Sequence, residues 1–261
     1  QSGTVRTVSG GNTISGRKSE FLSSFRADQD RAFKAGRGTS ANSGRSNGST
    51  FGPYRSGSIG GDGSNGLLTF EAEPSILTQY QSAGLNLPTI SQVDAPSNAI
   101  TYNLDMTAAM AGNKFGPQVE IKSAEDLASS SLFRTESGSG FAIKPDGDIV
   151  AVFASSTEPA GGSYAMLQAA VQAGGNKLDA FDTFLPDIYK RVGFRPVARI
   201  PWNDEFAPPG WDKEGVFKKY NNGEPDIIFF VHDSEYFGGA TDVPVVTDYD
   251  DAVRLQNEAL K

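Results

Sequence analysis

A glycine pair ahead of an apolar helical stretch is where residue types and spacing in this chain could do chemistry. Residues 155–166 read SSTEPAGGSYAM, and the stretch from Gly161 carries Met166, Leu167, Ala170 and Val171 at helical spacing until Gly174-Gly175 stops it. The first N–H groups of a helix lack internal partners, and the helix dipole places positive charge there. Both attract an anion, and glycines let it approach closely. Gly161, Gly162 and Ser163 could therefore cradle a phosphate, with Ser163 available as a cap. Two neighbours oppose this. Pro159 has no amide hydrogen to donate. The Glu158 carboxylate would repel an anion about 5 Å away by roughly 1 kcal/mol or more at intermediate dielectric.

Other reactive side chains are sparse. Glu136, Asp179, Asp182 and Asp187 are available carboxylates, but in an acidic body such groups are usually solvated surface. His232 is the only histidine and sits at the end of an apolar strand, which argues against histidine triads and histidine metal sites. The absence of cysteine excludes disulfides, thiolate metal sites and cysteine nucleophiles. The loop GEPD, 223–226, is turn chemistry, and EF-hand, P-loop, zinc and HEXXH patterns are missing, so no metal is expected.

The elements that must position these groups read as follows. GLLTFEAEP, from Gly66, looks like a short strand; NAITYNLDM, 98–106, alternates toward a strand, and TAAMAG begins a helix. Ser123 with Asp126 three residues on is a weak capping box for a helix in SAEDLASSSLF, 123–133. GSGFAIKPDGDIVAVFAS reads as two strands, 140–144 and 148–154, joined by Pro145-Asp146-Gly147. Proline presets φ and glycine supplies φ > 0, so a hairpin is expected. After the 161–175 helix come a strand at 178–181, a short helix around Tyr189, strands at 196–200 and 226–231, and an amphipathic helix near 247–260.

Within this order, LDAFDTFLPDIYKRVGFRPVAR (Leu178 to Arg199) runs strand, then helix with Tyr189-x-x-x-Gly193-Phe194, then strand. It resembles the C-terminal half of the GNAT family of N-acetyltransferases, whose pattern is Asn-x-x-Ala-x-x-Leu-Tyr-x-x-x-Gly-Phe; Asp182, Leu185 and Ile188 stand at the Asn, Ala and Leu positions. The resemblance covers about 120–232. It implies a mixed α/β fold, a mostly antiparallel sheet flanked by helices, whose strands at 148–154 and 178–181 run side by side and diverge at one end to admit acetyl-CoA. It further implies that Val152, Phe153 and Ala154 face the pantetheine arm, that Gly161, Gly162 and Ser163 hold the pyrophosphate, and that Tyr189 is the general acid protonating the departing thiolate. The family's Arg or Gln ahead of the glycines is lost here. The segment 201–230, with Trp202, Trp211 and Phe217 expected as a satellite core, resembles the extension of GNAT-like domains in bacteriophage structural and polyvalent proteins.

Charge divides the chain. Residues 1–66 carry nine basic and four acidic groups, net +5, against −13 for the remainder of a chain whose total is −8. This stretch is a Gly/Ser-rich arm too poor in apolar groups to build its own core. One island, SEFLSSFRADQDRAFKAG, suggests a helix near 19–35 with Phe21, Leu22, Phe25 and Phe33. A flexible tail and an arm ordering against other protein subunits of an assembly are both compatible. The domain division read from this is 1–66 arm and 67–261 GNAT-like body. Nine dispersed positive charges make nucleic acid an unpersuasive partner. No apolar run approaches the roughly 20 residues that span a bilayer. The opening residues lack a secretory signal, and Gln1 in place of Met is compatible with a processed start. Two functions follow as expectations. One is a virion-associated structural component of a bacteriophage particle, tethered by its arm, with weak or lost acyltransferase activity. The other is an active acetyl-CoA-dependent N-acetyltransferase, for which host cytoplasm is the alternative location.

Overall fold

Short-range signals explain most of the elements in this computed structural model, which describes residues 54–59, 67–72, 87–159, 161–236 and 242–261, with 74, 77, 78, 81 and 238 singly. Among the described residues, nine strands form two antiparallel sheets. The first is a six-stranded meander in chain order: β1 (Tyr54–Ile59), β2 (Leu67–Ala72), β3 (Ile90–Val93), β4 (Ser131–Thr135), β5 (Gly140–Ile143) and β6 (Ile149–Phe153). The second has the order β7-β9-β8, with β7 at Lys177–Phe181, β8 at Phe194–Ile200 and β9 at Ile227–His232. The chain is thus mixed α/β, with antiparallel sheets flanked by helices.

Helix α1 (Ala95–Ala111) replaces the strand expected at 98–106. Asp94 caps it, accepting from Ser97 N at 3.1 Å, and Pro96 sits in its first turn. Ala99, Tyr102, Met106 and Met110 are its buried residues, spaced three and four apart, whereas Ile100 and Leu104 point outward, 68% and 62% exposed. Those two exposed residues create the false alternation with Tyr102 and Met106. Helix α2 (Ala124–Ala128) starts as expected, with the Ser123 hydroxyl accepting from Asp126 N. It is short because the chain turns into β4 at Ser131.

The β5–β6 hairpin forms as read, closed by Gly147 at φ +85° and by Gly147 N donating to Lys144 O at 2.9 Å. One face of the first sheet packs under α1 and α2, uniting Tyr102, Met106 and Leu127 with Leu132, Ala142 and Phe153. Phe133 and Phe141, one residue out of phase, stack at 4.7 Å on the other face. Helix α3 (Gly162–Gln172) packs across β5 and β6, burying Met166, Ala169 and Ala170 and leaving Val171 only half-buried. In the second sheet, α4 (Leu185–Arg191) brings Tyr189 against Phe194 and Phe230. Helix α5 (Tyr249–Ala259) covers Val197, Phe229 and Val231 through Ala252. Gln256 fastens α5 by donating to Leu178 O at 2.9 Å and Phe230 O at 2.8 Å. Trp211 stacks on the buried Phe217 at 3.7 Å and leans on Trp202 and Phe181, forming the aromatic cluster expected of 201–230.

Two readings change. Tyr54–Ile59, inside the stretch taken as arm, is a sheet strand paired with β2 along its whole length. Strand β7 is hydrogen-bonded in the second sheet and meets β6 only at one end, through the parallel bridge Asp148–Lys177. The island around Phe21, Phe25 and Phe33 lies outside the described residues.

Candidate functional site at the diverging strands

Two parallel strands held at one end and free at the other leave backbone groups facing a wedge. At their start, Asn176 N donates to Gly147 O at 2.9 Å beside the Asp148–Lys177 bridge. Farther along, β6 carries a bulge: Gly140 pairs with Phe153 and Ala142 with Val150, so Ala151 and Val152 together stand opposite Phe141. Ala151 takes φ +51°, a conformation that L side chains rarely adopt. Bulges bend a strand and strengthen its twist, and this one lies beyond the point where β6 and β7 are bridged.

The bulge is held from α1. The fully buried Tyr102 donates its hydroxyl to Ala151 O at 3.2 Å, and its ring meets Phe153 edge-on at 5.3 Å. Burial pushes the Tyr102 hydroxyl well above the usual phenol range, only partly opposed by Arg134. Gly140 makes room for this ring: a Cβ there would lie 2.8 Å from the Tyr102 hydroxyl and 2.5 Å from Phe133 O.

The expected site residues distribute around the wedge. Val152 is half-buried, Phe153 is buried in the α1 core, and Ala154 lies just beyond the strand. Gly161, at φ +98°, is the N-cap of α3 and makes no side-chain cap, so the helix starts at Gly162, one residue ahead of the exposed Ser163, which does not cap it. The Gly162 amide donates to Pro159 O at 3.1 Å and is therefore already engaged. Glu158 folds inward over the helix start. Its Oε2 accepts from the Thr135 hydroxyl at 2.7 Å, its Oε1 is buried without a partner, and a methyl group on Gly162 would overlap that oxygen. A carboxylate of the chain itself thus stands at the α3 N-terminus, where the dipole favours negative charge.

Tyr189 is buried, and burial followed by the charge of Asp179 raises its hydroxyl pKa. Of the other carboxylates, Asp182 pairs with Arg199 at 3.6 Å, while Glu136 and Asp187 are exposed. His232 packs on Phe194 at 5.4 Å, and burial lowers its pKa. Asp179 is the residue whose importance the sequence hid. Surrounding protein and then the nearby Asp148 push its carboxyl up to about 6, against a hydrogen bond from the Tyr249 hydroxyl at 3.2 Å. Asp179 is nonetheless an exposed residue, so water screens much of this repulsion. Tyr249 lies 70 residues away, so no local pattern announces the pair.

No protein-family model, curated protein or solved structure matches this chain. Among the described residues, no group of three or more His, Cys, Asp or Glu side chains is placed to hold a metal ion. Nor is any helix among them long and apolar enough to cross a membrane.

Proposed function

We propose that the body of this chain is a GNAT-like domain kept as a structural module, with an acyl-CoA site weakened by its own Glu158. The carrying observation is the Glu158 carboxylate seated against Gly162 at the start of α3. Acetyl-CoA would need a pyrophosphate there, and the residues present do not fit it. The Gly162 amide is engaged by Pro159, Pro159 itself offers no donor, and the resident carboxylate repels a second anion. What supports the family reading is the pair of strands joined at Asp148–Lys177, with a bulge beyond the bridge, followed by a helix start at Gly162 and by Tyr189 on α4. What supports a particle role is the basic Gly/Ser-rich N-terminal composition and the resemblance of 201–230 to phage structural proteins. On this reading residues 1–50 tether the body to other subunits of a bacteriophage virion. Deleting them leaves the body folded and abolishes incorporation into particles; particles that still contain the truncated chain would contradict the tether.

A second reading, an active acetyl-CoA-dependent N-acetyltransferase, is favoured by Asp179, whose carboxyl at about 6 suits proton transfer near neutrality. It requires tight acetyl-CoA binding, and turnover that falls sharply in Tyr189→Phe while binding is unchanged.

A further inference from the structure

Helix α1 buries one face and turns the opposite one to solvent. Its buried residues Ala99, Tyr102, Met106 and Met110 join the core of the first sheet. On the far side Ser97, Ile100, Leu104, Thr107 and Ala111 recur at steps of three, four, three and four residues, and all five are exposed. Ile100 and Leu104, the bulky members, are 68% and 62% exposed. This is the spacing by which one helix meets a second along a continuous seam. The stripe carries no charge. Asp105, beside it, is the only charged residue of the 17-residue helix and is paired with Arg134 at 2.6 Å. On a body of net charge −13, this face lets a like-charged copy approach without setting carboxylate against carboxylate.

The stripe is complementary to itself in one direction. Its bulky residues, Ile100 and Leu104, lie in the first half, and its small ones, Thr107 and Ala111, in the second. Two copies packed antiparallel set Ile100 against the partner's Ala111 and Leu104 against the partner's Thr107, so each large side chain meets a smaller one. Charge at the ends agrees. Asp94, the exposed cap before α1, and Lys114, exposed just after it, each come near their opposite in an antiparallel pair. Parallel copies would bring like charges together at both ends and bulk onto bulk between them. Opposed helix dipoles favour the antiparallel pair as well.

We propose that the outward face of α1 is a docking surface for a second copy of this chain, the two helices packing antiparallel about a two-fold axis. A helix of 17 residues is about 25 Å long and offers a stripe about 10 Å wide. That falls well short of the roughly 800 Å² per partner of a standard stable complex. The contact is therefore weak, with a dissociation constant of about 0.1–1 mM, and closes where copies are concentrated. It uses neither the α3 N-terminus nor residues 1–50, so its failure and that of the proposed function are separate results.

Sedimentation equilibrium of the full chain from about 10 μM to about 2 mM tests it. The average mass should rise toward that of a dimer. Leu104→Glu, at an exposed position, should leave the protein folded and weaken association at least tenfold; should it unfold, Thr107→Glu repeats the test at the facing position. Disulfide trapping reads the orientation, because the chain contains no cysteine. Ile100→Cys mixed with Ala111→Cys should cross-link to each other, and each alone far less. No rise in mass, or a rise that Leu104→Glu leaves unchanged, overturns the proposal. So does preferential trapping of either cysteine variant with itself. Loss of association in Phe25→Asp would assign the surface to the apolar N-terminal island instead, and would equally overturn it.

Discussion

Replacing Tyr102 by phenylalanine removes one oxygen from the device that holds β6 in its bulge. The hydroxyl is the only part of Tyr102 lost; the ring stays against Phe153, and Arg134 stays 5.4 Å from its centre. What disappears is the bond to Ala151 O, in a fully buried setting. A buried hydrogen bond contributes about 0.5–1.5 kcal/mol net, and a carbonyl deprived of its donor adds a desolvation penalty, so roughly 1–2 kcal/mol is expected in all. For a folded unit of about 200 residues this lowers the Tm by roughly 3–7 °C. Urea unfolding of Tyr102→Phe measures it, and amide exchange at Val152 and Phe153 should quicken beyond the global change. Gly140→Ala should be worse, because its Cβ meets Phe133 O at 2.5 Å as well as the Tyr102 hydroxyl, and a backbone carbonyl cannot step aside. A loss below about 0.5 kcal/mol in Tyr102→Phe, with exchange unchanged at the bulge, would refute the idea that Tyr102 holds it.

Three further outcomes follow from the same geometry. The Asp179 pKa of about 6 lies above the ordinary value, so the folded state binds this proton more tightly than the unfolded chain. Its contribution to stability is therefore present below about pH 4 and is lost as pH rises through 6, and Asp179→Asn should flatten the pH–stability curve across that interval. Gln256→Ala removes two buried bonds from α5 to Leu178 O and Phe230 O and should lose about 2 kcal/mol in urea unfolding, with exchange quickening along 249–259. Gly147→Ala, at φ +85° with Asn176 Oδ1 2.5 Å from the new Cβ, should destabilise the hairpin by more than 1 kcal/mol.

Local signals carried much of this fold. Pro145-Asp146-Gly147 announced its hairpin, and Gly174-Gly175 announced the end of α3, because turn chemistry depends on neighbours in sequence. Helix α1 was obscured by Ile100 and Leu104, which face outward and mimic a two-residue period with Tyr102 and Met106. Strand β1 was obscured by a Gly/Ser-rich composition whose strand character comes from pairing with β2. The bulge in β6 was not legible either, because its positive φ falls on Ala151, where glycine would have been the visible sign and alanine is not. At the candidate site, the negative charge of Glu158 and the missing amide of Pro159 were legible. The inward fold of Glu158 onto Thr135, and the partnership of Asp179 with Tyr249, join residues 23 and 70 positions apart and were not.

On the proposed reading, Glu158 fills the position an acyl-CoA pyrophosphate would need. Calorimetric titration of acetyl-CoA into the unmodified chain and into Glu158→Ala tests it most directly. Removing a like charge at roughly 5 Å restores about 1–2 kcal/mol, so the variant should bind about five- to thirtyfold more tightly than the unmodified chain, which should stay nearly empty at low-micromolar cofactor. A dissociation constant at or below about ten micromolar in the unmodified chain, abolished by Gly162→Glu and unimproved by Glu158→Ala, would contradict the account.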